Sequence, residues 1–179
     1  IFKQNNLLTP NFIALNSINY KNILKEKFFK KSNFNYPVVV KPSNEGSSIG
    51  VEICKNLNQL NKSVTKLIKK SWADFSWVAP SRVAVNFFLY SITTATIENF
   101  IAGQEIQVAV ISGKALGAIE LRPKRRFYDY KAKYFKSART RHIMPAKISK
   151  KNYNKVLKLG KKAHQLLKCK GITRSDFKF

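Results

Sequence analysis

Acidic residues are scarce in this 179-residue chain. Nine Asp and Glu stand against 34 Lys and Arg, a formal net charge of +25. So basic a balance raises the question of nucleic acid, because clustered Lys and Arg bind phosphates by releasing counterions. The lysines, however, are spread over most of the length rather than gathered in one stripe. They come with many Asn, Ile, Phe and Tyr residues, the set an AT-rich genome favours. The chain also lacks an aromatic-basic block of the RNA-recognition type and any zinc-finger spacing. We read the excess as compositional drift on solvated faces rather than a dedicated nucleic-acid surface.

Cysteine is equally sparse. Cys54 and Cys169 lie far apart and lack His partners at metal spacing, so buried thiols in a reducing compartment are expected. Long apolar runs are missing too. The nearest, Val83–Tyr90, falls far short of the ~18 residues of a membrane span. Ile1–Leu8 carries Lys3 and two asparagines where a signal peptide has its apolar core, so no signal peptide is expected and the cytoplasm is the expected location. There is no internal repeat. What remains, 44% hydrophobic, suffices for one sizeable domain or two small lobes.

The most informative segment is residues 37–51, Pro-Val-Val-Val-Lys-Pro-Ser-Asn-Glu-Gly-Ser-Ser-Ile-Gly-Val. A β-branched run ends in Lys41 and is followed by a small, flexible Gly/Ser loop. A strand that fixes one cation, beside a loop that offers backbone N–H groups and hydroxyls, is suited to holding a polyphosphate. Gly46 and Gly50 let the backbone approach where a Cβ would intrude. The Walker A pattern is absent, since the lysine precedes the glycines.

Around this loop the periodicity predicts a helix over 20–31, with Ile23, Leu24 and Phe28 on one face and Asn19 as its cap. Strands follow at 38–41 and 51–54, then a helix over 56–70 after an Asn cap, with a short extended piece earlier at 12–15. Residues 105–112 alternate, with Ile106, Val108 and Val110 on one face, turn at Gly113-Lys114 and return over 115–121. Residues 123–147 are pattern-free and read as a long loop. The clearest helix runs over 149–169 and stops at Gly171, after which 175–179 opens a strand.

Three more blocks follow the glycine loop. They are Ile97-Glu98-Asn99-Phe100-Ile101-Ala102-Gly103-Gln104-Glu105, Phe127-Tyr128-Asp129-Tyr130-Lys131-Ala132-Lys133-Tyr134, and Cys169-Lys170-Gly171-Ile172-Thr173-Arg174-Ser175-Asp176-Phe177. In this order the four blocks resemble the D-alanine–D-alanine ligases of the ATP-grasp superfamily. The resemblance implies an α+β ATP-grasp fold, two lobes clamping a nucleotide, incomplete at both ends. It places the small lobe at 1–97 and part of the large lobe at 98–179. An apparent insertion near 71–93 has two readings, an added strand pair or a lesion in a degenerating gene.

The implied activity is ATP-dependent joining of two D-alanines through an acyl phosphate, for peptidoglycan precursor synthesis. ATP and Mg²⁺ (or Mn²⁺) are the implied cofactors, D-alanines the substrates, and a homodimer the assembly of the full-length family. Lys41 would contact the α/β-phosphates and Ser48 would hydrogen-bond within the loop. Glu98, Asn99 and Ile101 would read adenine, the last two through backbone, and Glu105 would take the ribose hydroxyls. Lys133 would reach the γ-phosphate, and Tyr134 would close as a lid onto Ser47, which orients substrate. Arg174 would stabilise the developing oxyanion, and Asp176 would be the first magnesium ligand. Alternation puts Arg174 and Asp176 on one strand face.

Asn99 stands where the family has lysine, and Lys131 where it has an acid. The family's N-terminal domain, its first ATP-contacting lysine and a downstream Leu-Glu-x-Asn block are absent. The chain alone is therefore expected to be inactive. The alternatives are another ATP-grasp D-Ala–D-X ligase, a degenerate inactive product or a basic nucleic-acid-binding module. His142 and His164 carry no assigned role.

Overall fold

The structure, a computed structural model, describes residues 1–16, 18–25, 29, 31, 34–43, 45, 48–75, 95–124 and 130–179. Ser47 and Tyr128, most of the apparent insertion near 71–93 and the side chain of Lys131 lie outside what is described. The chain divides into two compact units, Pro10–Phe100 and a second made of Ile1–Thr9 with Ile101–Phe179.

In the first unit, strands β1 (Phe12–Leu15), β2 (Val38–Pro42), β3 (Glu52–Cys54) and β4 (Ala95–Asn99) form an antiparallel sheet in the order β1-β4-β2-β3. A short helix, α1 (Tyr20–Ile23), precedes β2, and α2 (Leu57–Phe75) follows β3. Strand alternation decides which side is core: Leu15, Val38, Val40, Ala95 and Ile97 are fully buried with Leu60 and Val64 of α2. Asn56 caps α2 as its position predicts. Its Oδ1 accepts from Gln59 N at 2.9 Å, and Gln59 Oε1 accepts in turn from Lys55 N at 2.8 Å. Gly50, at φ +70, folds the glycine loop back on β2, where an added Cβ would lie 3.3 Å from Pro42 Cγ.

One expectation is corrected here. Asn19 stands at the N-cap of α1 but makes no capping bond. Instead Asn16 Oδ1 accepts from Ile18 N and Asn19 N at 3.0 and 2.9 Å, an alternative local turn that Asn side chains favour. Phe29 is 4% exposed and stacked on Tyr36 at 5.2 Å, while Phe28 lies outside the described residues. Ala95–Asn99 is a central strand paired to both β1 and β2.

The second unit is built on β5 (Glu105–Ile111), β6 (Lys114–Arg122), β7 (Arg141–Ile143) and β8 (Ile172–Lys178), in the order β7-β6-β5-β8. Helix α3 (Tyr130–Tyr134) and β7 break up what the sequence reads as a featureless loop over 123–147. At five and three residues they are too short to show a period. Helix α4 (Lys150–Leu166) covers the sheet face carrying Ile106, Val108, Val110 and Ala118. Ser149 caps it, its side chain accepting from Asn152 N. Gly160 is the point of closest approach, since a Cβ there would meet Val108 Cγ1 at 2.8 Å. His164, 5% exposed, is a packing residue bonded through Nδ1 to Thr173 Oγ1 at 2.7 Å.

The stop of α4 lies earlier than Gly171. Lys168 takes the left-handed conformation (φ 51). Lys168 N donates to Gln165 O and Cys169 N to His164 O, at 2.9 and 3.0 Å, which is a Schellman closure with lysine at the position that glycine usually fills. A non-glycine residue there costs about 1 kcal/mol. Lys168→Gly is therefore expected to raise the melting temperature by about 2–4 °C. Scanning calorimetry on the two proteins checks this, and an unchanged or lower value would contradict the account.

A charged face on each unit and the family it belongs to

Alternation along β2 sends Lys41 to the face opposite the fully buried Val38 and Val40. On β4, Glu98 follows the same rule against Ile97, and the register sets Glu98 across from Val39 and Thr96 across from Lys41. The two charges therefore meet diagonally, Lys41 Nζ 2.6 Å from Glu98 Oε1, with side chains 42% and 22% exposed. Thr96 Oγ1, across from Lys41 and two residues before Glu98, is shielded from solvent and has no hydrogen-bond partner, and the same holds for Asn99 Oδ1 at the strand's end. A face that gathers a cation, a carboxylate and an unpartnered hydroxyl is suited to a polar ligand. Ser48 occupies the left-handed region (φ 62), consistent with a tight loop turn. Ile101 is 43% exposed, in the segment leading to β5.

The second unit has its own polar face. Glu105 opens β5 opposite Lys178 of β8 and forms an ion pair with it. Two residues along β8, Asp176 accepts from Arg174 through both oxygens, Nε–Oδ1 at 2.8 Å and Nη2–Oδ2 at 3.3 Å. Arg174, Asp176 and Lys178 alternate with Thr173, Ser175 and Phe177, so the expected shared face of Arg174 and Asp176 is observed. On α3, Tyr134 is exposed with its ring 4.8 Å from that of Tyr130, and Lys133 is half-buried beside it. Thr140 Oγ1 ties this helix down by donating to Ala132 O at 2.7 Å.

Among the described residues no group of three His, Cys, Asp or Glu side chains converges on one point. Asp176 could offer a divalent cation one carboxylate, both of whose oxygens accept from Arg174 in this structure. The thiol of Cys54 is pushed up by burial and so is poorly suited to act as a nucleophile or metal ligand.

One group that sequence reading passed over stands out. Glu120 is 1% exposed on the α4 side of β6. Its carboxylate accepts from Arg122 Nε at 2.5 Å, Gln104 Nε2 at 3.1 Å and Lys147 N at 3.1 Å. Its signal was available, as an acid in an otherwise apolar strand pattern. The Arg122 guanidinium, helped by the other two donors, holds its carboxyl below the usual glutamate range.

Two antiparallel sheets, each with a helix on one face and charge on the other, match what the ATP-grasp fold requires. Solved neighbours agree. The D-alanine–D-alanine ligase of Bacillus anthracis matches with a TM-score of 0.69 and 25% identity, over 99% of this chain and 49% of that one. A structure of a ligase from the same organism complexed with ATP matches with a TM-score of 0.67 at 22% identity, over 99% and 48%.

The chain belongs to the D-alanine–D-alanine ligase family: the family model described as "D-ala D-ala ligase C-terminus" matches residues 1–73 and 82–179. A D-alanine–D-alanine ligase from Pelagibacter ubique (strain HTCC1062) is 44% identical over 180 residues, covering all of this chain and 51% of its own length. One from Geotalea uraniireducens (strain Rf4) is 40% identical over 144 residues, covering 80% and 39%. The chain thus spans about half the length, or less, of these curated relatives.

A folded pKa below the unfolded value makes Glu120 a source of stability that is complete above the ordinary glutamate range, about 4.3. That stability is lost as pH falls through the lowered folded value. The wild-type melting temperature is expected to drop more steeply between pH 5 and pH 3 than that of Glu120→Gln. Parallel slopes in a pH series of thermal melts would remove Glu120 from the acid limb.

Proposed function

We propose that this chain is the nucleotide-handling part of an ATP-dependent D-alanine–D-alanine ligase. In the reaction of the whole protein, a carboxylate oxygen of one D-alanine takes the γ-phosphoryl group of ATP, with ADP leaving. The amino nitrogen of a second D-alanine then attacks the acyl carbon, phosphate departs, and the new amide loses a proton. The protein's task is to neutralise charge on the phosphates and carboxylates and to exclude water.

Family membership supports the reading, and one observation carries it in this chain: Lys41 and Glu98 meet beside the unpartnered Thr96 hydroxyl on the face of β2–β4 turned away from the core. In this reading Lys41 neutralises the α/β-phosphates, and Ser48 donates within the glycine loop. Glu98 and the backbone of Asn99 and Ile101 read adenine, while Glu105 accepts from the ribose hydroxyls. Lys133 reaches the γ-phosphate, Tyr134 serves as a lid residue, and Arg174 stabilises the developing oxyanion. Asp176 would hold Mg²⁺ together with the phosphates, and the ion would neutralise phosphate charge. A cytoplasmic location and a homodimeric whole protein belong to the same proposal. Among the described residues, no helix is long and apolar enough to cross a membrane.

Thermal shift and direct titration test this. ATP with Mg²⁺ is expected to raise the melting temperature more than heparin or duplex DNA at equal charge. Lys41→Ala is expected to weaken ATP about 10- to 100-fold, the loss of one charge-assisted phosphate contact. A larger shift with the polyanions, or an ATP affinity untouched by Lys41→Ala, would favour a basic nucleic-acid-binding module instead.

A further inference from the structure

We propose that Glu120 is a positioning residue of the nucleotide site, holding Gln104 from beneath the sheet so that the next residue, Glu105, is presented on the opposite face. The inference rests on the assignment of Glu105 to the ribose. The register makes it geometric. Ile106 pairs with Glu120 and Glu105 with Leu121, so Gln104, Ile106, Glu120 and Arg122 lie on the α4 side. Glu105 and its partner Lys178 lie on the other. A bond made under the sheet at Gln104 therefore fixes the strand start without occupying the ligand's side.

Gln104 is held three times over. Its side chain donates to Glu120 Oε1 at 3.1 Å, its N–H donates to Phe179 O at 2.9 Å, and its carbonyl accepts from Phe179 N at 3.0 Å. Gly103, at φ +130, lets that Phe179 carbonyl come where a Cβ would stand only 2.1 Å from it. Glu120 is held as firmly: it is buried, and its three donors come from Gln104, from its own strand at Arg122 and from Lys147 before α4. Taking away one of those partners leaves a buried charge short of a donor, so the arrangement has little freedom to relax. The segment 101–105, which has no regular structure until Glu105, takes its placement from this anchor and from the Phe179 pairing.

The test compares two probes on the full chain at 15 °C, well below unfolding: ADP, which has a ribose, and inorganic tripolyphosphate, which does not. Glu120→Gln and Gln104→Ala are each expected to weaken ADP about tenfold and leave tripolyphosphate unchanged, and the double variant is expected to weaken ADP no further. Glu105→Ala is expected to lose ADP at least as strongly. A purely structural Glu120 would lower the melting temperature while shifting both ligands or neither, and that outcome overturns the proposal. So does an effect of Glu120→Gln that Gln104→Ala does not share. If Glu120→Gln fails to fold, Gln104→Ala alone decides. Wild-type chain that binds neither ligand, or ADP binding indifferent to Glu105→Ala, overturns the nucleotide-site assignment itself and this inference with it.

Discussion

Two-residue alternation along the strands is the constraint on which the rest of the molecule depends. In each sheet one set of side chains is apolar and closes on a helix. Val38, Val40, Ala95 and Ile97 do so in the first unit, and Ile106, Val108 and Val110 in the second. The complementary set carries the charges: Lys41 with Glu98, then Glu105 with Lys178 and Arg174 with Asp176. Sliding any of these strands by one residue would turn the charges into the core and the valines into water. Helix packing thus fixes both the register and the direction in which every candidate ligand-binding group points.

With so few acids available, where they sit is informative. Glu52, Glu98, Glu105, Glu120 and Asp176 each hold a cation: Lys66, Lys41, Lys178, Arg122 and Arg174 in turn. Four of the five belong to the two charged faces or to the anchor beneath one of them. The surplus lysines behave differently. Lys150, Lys151, Lys155, Lys158 and Lys161 line the outer side of α4, exposed to solvent. Like charges three and four apart there oppose the helix by a few tenths of a kcal/mol per pair. Packing at Val156, Gly160 and His164 holds the helix against that repulsion.

Much of this was legible in the sequence. The β-branched run ending at Lys41, the alternation from Glu105 and the 3.6-residue pattern of α2 and α4 all appear as elements, because each is long enough to show its period. The four ordered blocks were enough to point to the family. The features that stayed hidden are those set by long-range geometry. Nothing local says that Ala95–Asn99 pairs with both Phe12–Leu15 and Val38–Pro42, or that Gly160 is small because Val108 lies against it. Gly103 and Lys168 show the same limit from opposite sides. One is a glycine whose need appears only when Phe179 is in place. The other is a left-handed position that the sequence fills with lysine.

The first unit is an insert: Ile1–Thr9 groups with Ile101–Phe179, and the whole of Pro10–Phe100 lies between them along the chain. Its ends are brought side by side where Phe12 pairs with Glu98. During synthesis Ile1–Thr9, including the Asn5 carbonyl that takes a hydrogen bond from Lys162, emerges long before its partner helix is made. Closure of the inserted unit, with Phe12 beside Glu98, shortens the effective loop that the outer unit must bridge. The connectivity thereby makes the span that the outer unit must close depend on the inner one.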